Sequence, residues 1–306
     1  MRRPRAADLA VCQAVVAERL KTFVIRAGYH SRPSFLVIGA QKAGTTALYY
    51  YLAEHPRIVP SRDKEVGFFA PELFADWPEH PNHRILCTGG VTIFDDPRSY
   101  RRAAAWYHSQ FPWPHELGPE RLTFEATPDY LYYPRAAKRI FEYAPDMKLI
   151  VLLRDPVQRA FSAWNMYRSY GGYRPFIYSP KKEVREFEAA IRAEIDGMGS
   201  AESPLDPGYV RRGVYHQQLQ RYLRWFSRSQ VLVLESEDLK CETSATLARV
   251  VSFLELPEHR RQGAWQQVLV GGYDPVIPES SLRLLREFYK PHNERLYQLL
   301  DRGFGW

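Results

Sequence analysis

The chain has 306 residues, 45% of them hydrophobic and 14% aromatic, which supports a sizeable buried core and excludes a disordered polymer. Mean hydropathy is −0.42, and no run approaches the ~20 apolar residues of a membrane-spanning helix. The net charge of +7 favours an anionic partner, but the basic residues are spread out with no run of five, which argues against nucleic acid.

Residues 1–33 read as a basic helical extension. It carries Asp8 and Glu18 and has no long apolar stretch, unlike a secretory signal. Its Arg/Lys-rich character suits peripheral contact with a membrane surface. Residues 34–306 read as one domain. Its first strand is SFLVIGA (34–40), and a helix is expected from Thr45 to about Glu54. From Ser61 to about Pro119 the chain is rich in Pro, His and aromatics and reads as loops. RLTFEATPDY (121–130) is a short strand leaving into a turn, and YPRAAKRIFEYAP (133–145) is a helix stopped by proline. MKLIVLLRDP (147–156) has the unbroken apolar core of a buried strand, with a helix after it. A charged helix is expected over roughly 181–196, a surface loop over 199–208 and a helix over 210–226. A strand and turn over 230–239 and two final helices complete the pattern. Strands alternating with helices imply an α/β fold with a mainly parallel central sheet flanked by helices. Cys12, Cys87 and Cys241 are odd in number and far apart, which fits a reducing, cytoplasmic setting rather than a disulfide framework.

Two segments carry chemistry. FLVIGAQKAGTTALYYYL (35–52) is a buried strand, a glycine-bounded turn holding Lys42, and a helix opening on Thr45 and Thr46. Such a turn suits an anion, because free N–H groups and the helix dipole point at it. The spacing from Gly39 to Gly44 matches the nucleotide-triphosphatase loop, yet Thr45 follows Gly44 and the lysine lies two places earlier. A kinase or NTPase therefore lacks its usual lysine, although Asp155 stands where a magnesium-binding aspartate is wanted. The second segment is RDPVQRAFSAW (154–164), where Arg154 ends a strand at the edge at which open α/β sheets bind ligands. Two separate anion sites on one sheet suggest a ligand phosphorylated at two places. His80 and His83 have metal-like spacing but no third ligand nearby in sequence, and read as loop.

Taken together, these segments resemble the sulfotransferases that use 3′-phosphoadenosine 5′-phosphosulfate (PAPS), of the heparan sulfate 3-O- and N-sulfotransferase type and their bacterial relatives. GAQKAGTT, KEVGFF, WYHSQFP, EATPDYL, LLRDPVQRAFSAW, GVYHQQLQRYLRWF and EFYKPHNERLYQLLDRGFGW lie in the family's order. The resemblance implies a P-loop-NTPase-like sulfotransferase fold, PAPS as co-substrate and 3′-phosphoadenosine 5′-phosphate (PAP) as product, with no metal required. It implies that Lys42, Ala43, Gly44, Thr45 and Thr46 hold the 5′-phosphosulfate, and Arg154 and Ser162 the 3′-phosphate. It places Glu65 as general base with Lys64 beside it, and Phe68 and Phe69 shielding that carboxylate at the acceptor site. Glu125 is a candidate second base or substrate-orienting group. Gly271, Gly272 and Tyr273 are candidates to cover the adenine. The acceptor is expected to be a glycan, glycolipid or glycosylated small molecule. The alternatives are a nucleotide-binding protein without turnover and a variant kinase. Three positions depart from the family pattern: Gly67 and Gln218 stand where histidine is common, and Ala126 where heparan members carry lysine.

Overall fold

The computed structural model describes residues 21–75, 80–88, 91–169, 183–198, 207–259, 265 and 276–306. Five strands form the central sheet: β1 (Phe35–Gly39), β2 (Ile58–Pro60), β3 (Leu122–Ala126), β4 (Lys148–Leu153) and β5 (Val231–Glu235). Their order is β2-β3-β1-β4-β5, and all neighbours pair in parallel. The three central strands are the most buried. Every residue of β1 is buried, as are all but the first of β3 and β4, whereas edge strand β5 is mostly half-buried. Parallel strands covered on both faces read as continuous hydrophobic runs for this reason, and each fully buried Leu, Ile, Val or Phe contributes about 1.5–3 kcal/mol.

The helices follow the strands as alternation demands. From β1 onward, those longer than four residues among the described residues are α1 (Thr45–Ala53), α2 (Pro97–His108), α3 (Ala136–Tyr143), α4 (Pro156–Arg168), α5 (Phe187–Asp196), α6 (Tyr215–Leu223), α7 (Ser236–Cys241), α8 (Thr243–Phe253) and α9 (Glu279–Leu300). A smaller core lies between α4, α5 and α9, centred on Phe161, Phe187, Tyr209, Leu285 and Tyr289. Among the described residues no helix is long and apolar enough to cross a membrane. Of the N-terminal extension, residues 21–26 are helical.

Two expected elements differ. The stretch read as loops contains the twelve-residue α2, started by Asp96, whose side chain accepts from the N–H groups of Arg98 and Ser99, and by Pro97 at the first helical position. The charged helix begins at Phe187, after a turn in which the Glu183 carboxylate accepts from the N–H groups of Val184 and Arg185.

One buried ion pair ties the segment after β3 to the turn before α6. Arg212 donates to Asp129 at 2.6 Å, and both side chains are under a tenth exposed. The guanidinium also lies over the Tyr132 ring, 4.2 Å from its centroid. Removing one member of such a pair leaves a buried charge without its partner, at a cost of about 3–5 kcal/mol. Asp129→Ala is therefore expected to lower the unfolding free energy from denaturant melts by that much, while Glu120→Ala, which breaks an exposed pair with Arg57, should change it by less than about 1 kcal/mol.

Candidate active site

The carboxyl ends of β1 and β4 lie side by side at the centre of the sheet, where the chain reverses the direction in which it adds strands. Ligands of open α/β sheets bind in the crevice formed there. The turn after β1 is built from left-handed residues, Lys42 at φ 68° and Gly44 at φ 95°. Glycine takes that conformation freely, but for lysine it costs of order 1–3 kcal/mol. No side chain caps the α1 N-terminus behind this turn, so its first N–H groups lack partners within the helix.

The two sites expected to be separate are joined. Arg154, directly after β4, donates Nη1 to the Lys42 carbonyl oxygen at 3.1 Å. Its Nε is buried with no hydrogen-bond partner, and among the described residues it forms no ion pair. Asp155 does not neutralise it. That carboxylate caps α4 by accepting from the Val157 and Gln158 N–H groups at 2.7 and 3.4 Å. The same cap occupies the aspartate that a kinase reading would assign to magnesium. Lys42 Nζ reaches Met166 Sδ at 3.5 Å. Met166 lies four residues after the buried Ser162, hence on the same face of α4. Burial and then Arg154 push the Lys42 pKa down to about 8. Two cations thus face each other without an internal anion between them. A third, Lys240 on α7, has its pKa lowered by partial desolvation and then by Arg154. Its sequence signal was its position a few residues past an apolar strand, like Lys42 and Arg154.

Glu65 comes from the neighbouring edge. The segment after β2 continues alongside β3, with Ser61 N–H donating to Phe124 O at 2.7 Å and Glu65 N–H to Ala126 O at 3.1 Å. Glu65 is itself left-handed, at φ 65°. Its side chain is 49% exposed and accepts from Lys64 Nζ at 2.5 Å. Its charge opposes the depression of the Lys42 pKa, so carboxylate and lysine face a common space. His80 was read as plain loop, yet it also feels the Glu65 charge. Burial lowers its pKa to about 4, and its ring lies 4.4 Å from Phe74.

The structure places three expected residues differently. Phe68 and Phe69 are wholly buried, packed on Tyr107 and Tyr143 at ring separations of 4.4 to 6.4 Å. They belong to the core, and neither encloses the half-exposed Glu65 nor faces an acceptor. Glu125 is fully buried too, with its oxygens accepting from Tyr107, Thr127 and Tyr130 hydroxyls, so it does not face the crevice as a base. Gly67 has a steric reason: at φ 76° a Cβ there lies 2.4 Å from the Phe74 ring, which leaves no room for the family's histidine. Gly271, Gly272 and Tyr273 lie outside the described residues.

Residues 33–260 match the Sulfotransferase family. The chain belongs to that family. This sulfotransferase is 30% identical over 299 residues to human heparan sulfate glucosamine 3-O-sulfotransferase 6, covering 90% of the chain and 73% of the relative. It is 29% identical over 299 residues to the mouse bifunctional heparan sulfate N-deacetylase/N-sulfotransferase 4, covering 88% of the chain but only 30% of that longer protein. A crystal structure of a sulfotransferase from Alicyclobacillus acidocaldarius superposes with a TM-score of 0.64 at 27% identity, covering 90% of this chain and 98% of the other.

The depressed Lys42 pKa carries a stability consequence of fixed sign. Between pH 8 and 10.5 the unfolded chain holds the lysine proton more tightly than the folded one, so folded stability rises with pH across that window. Lys42→Met should stabilise the free enzyme by about 1–3 kcal/mol at pH 7. The advantage should shrink toward zero by pH 10.5 when denaturant melts of the two proteins are compared at each pH.

Proposed function

We propose that this sulfotransferase moves a sulfuryl group from PAPS to a hydroxyl or amine of a carbohydrate acceptor by in-line displacement. The observation that carries the reading is the pair formed by Lys42 and Arg154, adjacent, cationic and without an anion between them among the described residues. The residues fit a doubly phosphorylated nucleotide. The orphaned Arg154 Nε and the uncapped α1 N-terminus are donors that await an anion.

In this reading Lys42 neutralises the charge that builds on the leaving 5′-phosphate, while Gly44, Thr45 and Thr46 supply N–H and hydroxyl donors. Arg154 and Ser162 hold the 3′-phosphate. Sulfuryl transfer resembles phosphoryl transfer in asking the protein mainly for positioning and charge stabilisation. Glu65 removes the acceptor proton. Its half-exposed carboxylate meets an incoming acceptor, and Lys64, 16% exposed, holds its orientation. Heparan sulfate glucosamine enzymes among the relatives support a sugar as acceptor, whether in a glycan, a glycolipid or a glycosylated small molecule.

Transfer of 35S from labelled PAPS to glycans and glycolipids tests the reading. Glu65→Ala should lower kcat by about 10²–10⁴-fold, the usual contribution of a general base, while PAP affinity stays within about threefold. Lys42→Ala should lose most turnover and retain weakened PAP binding through Arg154. Tight PAP binding with no transfer to any sugar, or full activity of Glu65→Ala, contradicts the proposal.

A further inference from the structure

Glu125 is among the buried ionisable groups the mechanism leaves unused. Glu125 is 0% exposed in a setting of aromatic rings, and its carboxylate collects three hydroxyls: Thr127 Oγ1 at 2.6 Å, Tyr130 Oη at 2.7 Å and Tyr107 Oη at 3.1 Å. Two of these hydroxyls are relays. Thr127 Oγ1 also accepts from the Gly67 N–H at 3.2 Å, and Tyr130 Oη accepts from the Phe69 N–H at 3.4 Å.

Proton counting fixes the direction of this network. A backbone N–H only donates, and a hydroxyl has one proton. With Gly67 and Phe69 donating into Thr127 and Tyr130, both hydroxyl protons must point at Glu125, and both carboxylate oxygens must accept. The Glu125 oxygens meet this demand as acceptors; burial raises the Glu125 pKa, and the Thr127, Tyr130 and Tyr107 hydroxyls oppose that rise. The loop so held carries Lys64 and Glu65, and the Glu65 N–H donates to Ala126 O at 3.1 Å. Glu65 sits there at φ 65°, a conformation that persists only when its surroundings over-determine it. Lys64, the partner of Glu65, also acts on Glu125 through its charge.

We propose that Glu125 is a positioning residue: through the Thr127 and Tyr130 hydroxyls it anchors the 64–69 loop and so fixes where the Glu65 carboxylate stands. The inference rests on the proposed role of Glu65. It assigns Glu125 no contact with substrate and no proton transfer.

Glu125→Gln separates this from a general packing role. The amide keeps the shape but turns one acceptor into a donor, so one relay hydroxyl loses the acceptor for its own proton. Thr127→Val removes one relay at constant shape, and Thr127→Ser restores it. Amide hydrogen exchange of the full-length protein reads the anchor without any turnover. Glu125→Gln and Thr127→Val should speed exchange in residues 65–69 at least tenfold while the central strands keep their protection, and Thr127→Ser should restore it. In the 35S assay the same two variants should lower kcat about 10–100-fold with PAP affinity and the KM for PAPS unchanged, and Thr127→Ser should recover it. Unchanged exchange in residues 65–69 in both Glu125→Gln and Thr127→Val overturns the inference, whatever the activity. A global loss of protection in Glu125→Gln with wild-type exchange in Thr127→Val overturns it equally. If wild-type protein transfers no sulfate, the reading of Glu65 fails while the exchange data still decide the anchor.

Discussion

The site depends on one electrostatic constraint: two cations held together by the backbone rather than by a counter-ion. Arg154 is tethered to the Lys42 carbonyl oxygen, and the carboxylate next to it in sequence, Asp155, is taken up by capping α4. Burial first, and then repulsion from Arg154, bring the Lys42 pKa down to about 8. The fold tolerates this because β1 and β4 pair directly in the sheet and bring the two strand ends side by side. In the proposed function, an anion held by both cations offsets that repulsion.

The second constraint is conformational. Lys42 and Glu65 are two of four non-glycine residues with positive φ among those described, and they carry the two proposed chemical roles. Each lies just beyond a strand end, where a left-handed residue turns the chain so that its side chain enters the crevice. Such strain needs support from below. The strand pairing of β1 supplies it for Lys42, and the hydroxyl network around Glu125 supplies it for Glu65.

Much of this was legible in the sequence. The unbroken apolar runs of β1 and β4, and the glycine-bounded turn with its lysine, marked the central strands and the turn between β1 and α1, since a buried parallel strand and a glycine-bounded helix start have local signatures. What failed was what depends on contacts distant in sequence. Arg154 and Lys42 are 112 residues apart, so the joining of two separate sites was invisible to motif reading. Phe68 and Phe69 come three and four residues after Glu65, yet the chain turns through Gly67 and sends both rings into the core. Glu125 has no local mark of burial in EATPDY, because two of its three partners, Thr127 and Tyr130, look like ordinary turn residues and the third, Tyr107, lies on α2. That helix was itself missed, although Asp96 and Pro97 form a standard start, because the surrounding Pro, His and aromatic residues masked it.

The central claim is that Lys42, with its pKa near 8 in the free protein, serves as the counter-ion for a phosphate of the bound nucleotide. Calorimetric titration of PAP at pH 9, in two buffers of different ionisation enthalpy, tests it most directly. The PAP phosphates have their second pKa near 6 and are fully ionised there, so a proton taken up on binding belongs to the protein. The account predicts uptake of about 0.9 proton per PAP by the wild-type enzyme, as expected of a group of pKa about 8 restored to its charged form, and almost none by Lys42→Met. Tight PAP binding with no proton uptake by the wild-type enzyme contradicts it.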